Sequence, residues 1–456
     1  MKRPNILLFF TDQQRFDCSG LHGNPLDLMP DFDAFARQNT HLSQFFTPQP
    51  VCGPARSCLQ SGQYATQTGC WKNGIPLPEN VPTLAKSFGA SGYKTGYIGK
   101  WHLGSGEGAV APAQRGGYDF WLASNLLELT SDAYETRLYD DQNQEVFLPG
   151  YRADALTDAA IRFVHDQQTQ HPDQPFFLTL SFLEPHHQNH RDDHPAPTGY
   201  AAKYSGRWMP PDLQALGGYA APSLGGYFGM VKRLDECFGR VLDALRSLEI
   251  QEDTIVVFLS DHGCHFKTRN AEYKRSCHDA SIRVPGAIGG GPFRGGGHLE
   301  ALVSLLDIPP TLCDAAGVEI PATFAGRSLL PLVERKSSEW PEEVFVQISE
   351  SQVGRCVRSR RWKYGVVAPG GDGWQDAGAP EYQETFLYDL FADPYELSNL
   401  AGFASHAEVA ARMRTRLLER MAQAGEETPV ILPAPPTTSG QQRLARPARL
   451  SNREFS

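Results

Sequence analysis

The run Thr254-Ile255-Val256-Val257-Phe258-Leu259, followed at once by Ser260-Asp261-His262-Gly263, decides the fold class. Six residues without a charge, stopped by a polar cluster, suit a strand covered on both faces, as in a parallel sheet. The same sequence of events recurs three times. Residues 6–10 precede Thr11-Asp12-Gln13, residues 95–98 precede Gly99-Lys100-Trp101-His102, and residues 176–183 precede Glu184-Pro185-His186-His187. Helical spacing lies between these runs. Residues 153–166 set Leu156, Ala160, Ile161 and Val164 on one face, and residues 229–248 do so with Met230, Val231, Leu234, Phe238, Val241, Leu242 and Leu245. The alternation predicts an α/β fold, with a large mixed, mostly parallel sheet sandwiched by helices. Ligands of such sheets sit beyond the carboxyl ends of the strands, where all four polar clusters fall.

The pattern changes around residues 337–341. Residues 344–348, 353–357 and 362–367 are short β-like runs, residues 369–380 are polar and Gly-rich, and residues 407–424 read as a helix. A catalytic domain over 1–335 and a smaller C-terminal α+β subdomain over 336–432 are expected. The Pro/Arg-rich remainder, 433–456, reads as a disordered tail or an arm packed on a neighbour.

Composition narrows the function. The chain has 456 residues, 41% of them hydrophobic and 21% charged, which supports a large core and excludes global disorder. Its net charge of −10 argues against a broad nucleic-acid surface. No stretch reaches the ~18–20 apolar residues of a membrane span. Residues 6–10 form too short an apolar run for an export signal, so a cytoplasmic location is expected, or a periplasmic one if a leader has been removed. Nine scattered cysteines, an odd number, argue against a disulfide scaffold. A homo-oligomer stays open.

The sharpest chemical signal is Val51-Cys52-Gly53-Pro54-Ala55-Arg56-Ser57-Cys58-Leu59-Gln60-Ser61-Gly62. On its residues alone, Cys52 is either a small packing side chain beside an Arg or a thiol activated by a basic neighbour. The stretch resembles the signature of the type I sulfatases of the alkaline phosphatase superfamily, C-x-P-[SA]-R continuing to Leu-x-[ST]-Gly. Further elements of that family follow in order: Thr11-Asp12-Gln13, Gly99-Lys100-Trp101-His102-Leu103-Gly104, Pro185-His186 and Ser260-Asp261-His262-Gly263. After these come Lys274, His278-Asp279, Ser281-Ile282-Arg283-Val284-Pro285, and Leu387-Tyr388-Asp389-Leu390 with Asp393-Pro394, Glu396 and Asn399-Leu400. The resemblance spans about residues 4–400.

The resemblance implies an alkaline phosphatase-like fold and a sulfate monoester hydrolase. It implies that Cys52 is oxidised to formylglycine by a formylglycine-generating enzyme. One hydroxyl of the hydrated aldehyde would attack sulfur, and the other would later expel sulfate by re-forming the aldehyde. Asp12, Gln13, Asp261 and His262, with an oxygen of residue 52, match the family's metal ligands. Oxygen-rich ligation points to Ca²⁺, while Gln13 and His262 leave Mn²⁺ or Mg²⁺ open. By the same carry-over, Arg56 orients the formylglycine, His102 contacts its hydroxyl, and Lys100 bridges to the sulfate. His186 and Lys274 face the leaving oxygen. Lys100 and His102, at i and i+2 on an extended segment, are expected to project to one side.

His187, His265, Lys267 and Arg269 form a basic set that suits an anionic saccharide substrate, or a merely solvated loop. The spacing of His186, His187, His190 and His194 is too loose for a zinc site. Rival readings are a phosphonate monoester or phosphodiester hydrolase of the same superfamily, an arylsulfatase, and an inactive binding homologue.

Overall fold

Strand Asn5–Thr11 is buried along its whole length, and its alternate side chains enter two cores. Leu7 and Phe9 pack against helices Pro30–Gln38, Arg152–Gln170 and Ala220–Ser247, through Phe32, Leu156, Leu234 and Phe238. Ile6, Leu8 and Phe10 pack the other way, against helices Cys52–Ser61, Leu84–Ala90 and Ile308–Ala316, through Leu59, Phe88 and Leu312. Both faces of the sheet are therefore covered, as unbroken apolarity requires, and each buried Phe or Leu contributes about 1.5–3 kcal/mol. The computed structural model describes residues 3–437, apart from 219, 296, 337 and 338.

The large sheet has ten strands. From one edge they run Gly297–Leu299, Thr40–Leu42, Gly286–Gly289, Thr254–Ser260, Asn5–Thr11, Phe176–Ser181, Lys94–Lys100, Phe120–Ser124, Thr136–Tyr139 and Glu145–Leu148. The five from Thr254–Ser260 to Phe120–Ser124 are mutually parallel; Gly286–Gly289 and the last two run antiparallel to their neighbours. Register pairs Phe10 with Leu259 on one side and with Ser181 on the other, so these strands end level. Asp12, Lys100, Glu184 and Asp261 consequently leave the sheet at one edge.

The smaller sheet has five strands, Glu343–Ile348, Gly354–Ser359, Trp362–Val367, Glu381–Asp389 and Val430–Leu432. It is antiparallel except for the last pair. Helix Ala407–Gln423 covers one face through Met413, Leu417 and Met421. The other face meets Phe46, Cys277, Ile282 and Leu302 of the large domain. Residues 433–437, the start of the expected tail, stay on the body: the Thr437 N–H donates to the Gly402 carbonyl at 2.8 Å. Residues 438–456 of that tail lie outside the described residues. No helix among the described residues is long and apolar enough to cross a membrane.

One local expectation is corrected. Lys100 closes its strand, but His102 lies in the left-handed region at φ 62°, so the two are not on one extended segment. The chain turns there because the Trp101 and His102 N–H groups donate to the Ser124 and Asn125 carbonyls at 2.9 and 2.8 Å.

Candidate active site

Cys52 opens helix Cys52–Ser61, all ten residues of which are buried. The helix stops at Gly62, left-handed at φ 64°, whose N–H donates to the Cys58 carbonyl; a Cβ there would lie 2.5 Å from the Phe324 ring. A first-turn position favours negative charge on the side chain. Burial alone would raise the Cys52 thiol, but the charges of Lys100 and Lys274 outweigh it and hold it well below its ordinary value.

Two strand ends and this helix converge. One ligand atom each from Asp12, Cys52, Asp261 and His262 lies within 4.8 Å of the others, and all four residues are buried. The His262 Nδ1 lies 3.0 Å from the Gly263 carbonyl, which can only accept, so the proton sits on Nδ1 and Nε2 presents a lone pair. That Nε2 is 3.3 Å from Cys52 Sγ and 3.5 Å from Asp261 Oδ1. Gln13 holds a left-handed backbone at φ 65°, and its buried Oε1 has no hydrogen-bond partner. Its N–H donates to Asp261 Oδ1 at 3.0 Å. Two buried carboxylates, a preset imidazole and an orphaned amide oxygen fit a hard divalent cation.

Arg56 holds the two acids together, 3.0 Å from Asp12 Oδ2 and 3.3 Å from Asp261 Oδ2. Its other terminal nitrogen donates to the Lys100 carbonyl and Ser181 Oγ at 2.9 and 2.8 Å. Burial and the charge of Asp12 push the Asp261 carboxyl up. Asp12 is held down instead: burial and Cys52 oppose this, but the charges of Lys100 and Arg56 prevail. Lys100 Nζ lies 2.8 Å from Asp12 and 3.0 Å from Glu128.

Across the centre, Lys274 Nζ is 3.0 Å from Cys52 Sγ and 2.8 Å from His186 Nε2. The His186 Nδ1 meets the His187 carbonyl at 2.7 Å and must donate to it, leaving Nε2 to accept from Lys274. Lys274 is buried, and no carboxylate among the described residues lies within ion-pair distance of it.

The basic set divides. His187 stacks on Tyr273 at 4.2 Å and approaches Gln13 Nε2 at 3.4 Å. Lys267 pairs with Asp192 at 2.7 Å beside the same ring. His265 and Arg269 point elsewhere: His265 Nε2 bonds the Lys274 carbonyl at 2.9 Å, and Arg269 donates to the Glu396 and Tyr395 carbonyls at 2.8 Å each. His190 faces Asp132 and His194 is ringed by aromatic side chains, so the histidine-rich loop brings no metal cluster together among the described residues.

Two side chains that the sequence reading did not single out belong to this cluster. The carboxylate of Glu128 lies buried, 3.0 Å from Lys100 Nζ and 3.6 Å from His102 Nδ1. Its one signal is a lone acid among Leu126, Leu127 and Leu129 just beyond a strand end. Asn73 Oδ1 accepts the Gly53 N–H at 2.9 Å, beside Cys52.

Known proteins resemble this chain. The family model described as Sulfatase matches residues 4–318, and that described as N-sulphoglucosamine sulphohydrolase, C-terminal, matches residues 271–423. The ulvan-active sulfatase of Formosa agariphila is 30% identical over 447 residues, covering 93% of this chain and 82% of that protein. A solved structure from Bacteroides fragilis, described as a yidJ sulfatase, superimposes with a TM-score of 0.83 at 22% identity, covering 94% of this chain and 97% of its own. Another, in complex with its substrate D-glucosamine-2-N,6-O-disulfate, gives 0.77 at 22% identity, covering 94% and 99%.

Proposed function

The chain belongs to the sulfatase family and is a sulfuric ester hydrolase; from that premise we propose that it removes sulfate from a saccharide, with Cys52 matured to formylglycine as the source of the nucleophile. The observation that carries this reading is the convergence of Asp12, Cys52, Asp261 and His262 on one buried point, faced by a Lys274 that pairs with no carboxylate among the described residues. A divalent cation, Ca²⁺ on the oxygen-rich donor set, would be held by Asp12, Gln13, Asp261, His262 and an oxygen of the matured residue 52. It would supply positive charge opposite the sulfate oxygens.

The chain's own groups do the rest. Arg56 keeps two like charges in place and leaves residue 52 at the mouth of its helix. Lys100, braced between Asp12 and Glu128, holds positive charge where the ester's negative oxygens come to rest. His102, with Glu128 behind its Nδ1, presents Nε2 as the base for a hydroxyl on residue 52. His186 is neutral, its proton fixed on Nδ1, because burial and then Lys274 lower its affinity for a second one. The ammonium of Lys274 is therefore the donor aimed at the departing alcohol oxygen. His187 and Lys267 line the approach and meet the sugar beyond the ester. The saccharide preference draws on these side chains and on relatives that act on ulvan and on a sulfated glucosamine.

The test uses protein co-expressed with a formylglycine-generating enzyme. Monosulfated hexoses and hexosamines carrying sulfate at each ring hydroxyl in turn, para-nitrophenyl sulfate and a phenyl phosphonate monoester are compared by kcat/KM. Highest efficiency on a sulfated sugar supports the reading; highest efficiency on the phosphonate overturns it.

A further inference from the structure

The Gly-rich segment 369–380 takes no part in the chemistry above, yet it reaches the same centre. It joins strands Trp362–Val367 and Glu381–Asp389 of the small sheet. At its middle, Gly373 lies flat on Glu350: its carbonyl accepts the Glu350 N–H at 2.7 Å. A Cβ at 373 would meet the Gln352 nitrogen at 2.8 Å and Glu350 backbone atoms at 2.9 Å, so only glycine allows the approach. The next residue, Trp374, is 43% exposed. The Arg275 guanidinium lies 5.4 Å from its ring centre, and Lys72 donates to its carbonyl.

Each neighbour of Trp374 is one step from the reacting centre. Arg275 follows Lys274 in the chain, and its guanidinium pairs with Glu350 at 2.6 Å and Glu272 at 3.0 Å. Glu350 also accepts the N–H of Asn73 at 2.7 Å, the residue whose Oδ1 holds Gly53. Arg275 at φ 69° and Glu350 at φ 65° both keep a left-handed backbone that non-glycine residues avoid, and such strain gathers where geometry is constrained for function. Two cations, Arg275 and Lys72, face three anions, Glu350, Glu272 and Asp372, the last accepting the Trp374 N–H at 2.9 Å, so the patch has no excess positive charge to offer a second sulfate.

A half-exposed aromatic ring carrying a guanidinium suits a sugar: the C–H face of a pyranose stacks, and a hydroxyl meets the accessible edge of Arg275, whose charge the buried Glu350 offsets from behind. We propose that Trp374 and Arg275, with Glu350 buried behind the guanidinium, form a subsite for an uncharged pyranose ring adjoining the sulfated position, supplied to the catalytic centre by the small sheet. The proposal rests on the saccharide reading above and deepens it. An aryl or alkyl leaving group would use the ring but leave the guanidinium unanswered.

The test compares Trp374→Ala, Trp374→Phe and wild type on the sulfated hexoses and hexosamines of the panel and on para-nitrophenyl sulfate. Binding of the same sugars to the Cys52→Ser protein is measured by tryptophan fluorescence. With the alanine variant, kcat/KM on the sugar is expected to fall about tenfold more than on the aryl sulfate, through KM, with weaker binding to match. The phenylalanine variant should recover most of the loss. Trp374→Leu serves the same comparison if the alanine variant fails to fold. Equal losses on both substrates, or none, would overturn the subsite while sugar hydrolysis by wild type still upheld the saccharide reading. If wild type releases sulfate from no sugar, that reading fails and the subsite fails with it.

Discussion

The molecule holds two networks of buried charge, and they are built differently. Where the small sheet meets the large domain, Asp279 accepts from Lys363 at 2.6 Å and Arg358 at 3.0 Å, while Glu396 pairs with Lys363 and takes the Asp279 N–H at 2.7 Å. Two acids answer two bases, and the ring closes on itself. At the strand ends Asp12, Asp261 and Glu128 answer Arg56 and Lys100, but Lys274 turns to Cys52 and His186, and Gln13 Oε1 turns to nothing. A closed ring of charge holds two parts of a protein together; an open one is arranged for something that arrives later. Each network should therefore fail in its own way.

The largest effect belongs to the open network. Cys52→Ala should cost on the order of 10⁴-fold or more in sulfate release, with circular dichroism and melting unchanged, since the side chain supplies chemistry and little packing. Substituting one lysine in each network sharpens the contrast. Lys363→Met strands Asp279 and Glu396 without a shared cation and should cost about 3–5 kcal/mol, read as a lower urea midpoint at unchanged slope. Lys274→Met abandons no carboxylate, so it should lower kcat by about 10²–10³-fold while leaving the urea midpoint where it was or higher. Loss of stability in both variants would erase the distinction.

Glu128→Gln keeps the shape but removes the charge behind Lys100 and His102. A fall of about 10–100-fold in kcat with little change in KM is expected if the residue acts by positioning the proposed catalytic groups. A change confined to KM would place it in binding instead.

The smallest effect lies outside both networks, where His41 Nδ1 is 3.2 Å from His298 Nδ1 and His41 Nε2 is 3.3 Å from His22 Nε2. Burial, then the charges of His298 and Arg283, bring His41 down to about 4 from an ordinary value near 6.5. The folded state thus prefers neutral His41. Its contribution is complete above about pH 6.5 and is lost as pH falls through about 4. His41→Asn should flatten the acid limb of a stability-against-pH curve, and an unchanged limb would remove His41 from the explanation.

What was legible in the sequence followed from local physics. Strands buried on both faces announce themselves by unbroken apolarity, so Asn5–Thr11 and Thr254–Ser260 were read within a residue of their bounds. The helix read at 229–248 begins earlier, at Ala220, because Pro222, Gly225 and Gly226 interrupt its periodicity. The structure supplies their reason: a Cβ at Gly226 would lie 2.2 Å from the His194 carbonyl, so a glycine lets the loop before Tyr200–Tyr204 lie against the helix. The left-handed turn at His102 was hidden because its cause, the Asn125 carbonyl, comes from a neighbouring strand end. Glu128, Asn73 and Glu350 were hidden for the same kind of reason. Glu350 meets Asn73 across 277 residues of chain, a distance that no local pattern records.

The most direct measurement is the mass of the peptide carrying residue 52, taken from a preparation of known specific activity. Activity should rise in proportion to the fraction of that peptide bearing an aldehyde in place of the thiol, and should be absent where the thiol is intact. Full activity in a preparation whose Cys52 is entirely unmodified would contradict the assignment of the nucleophile.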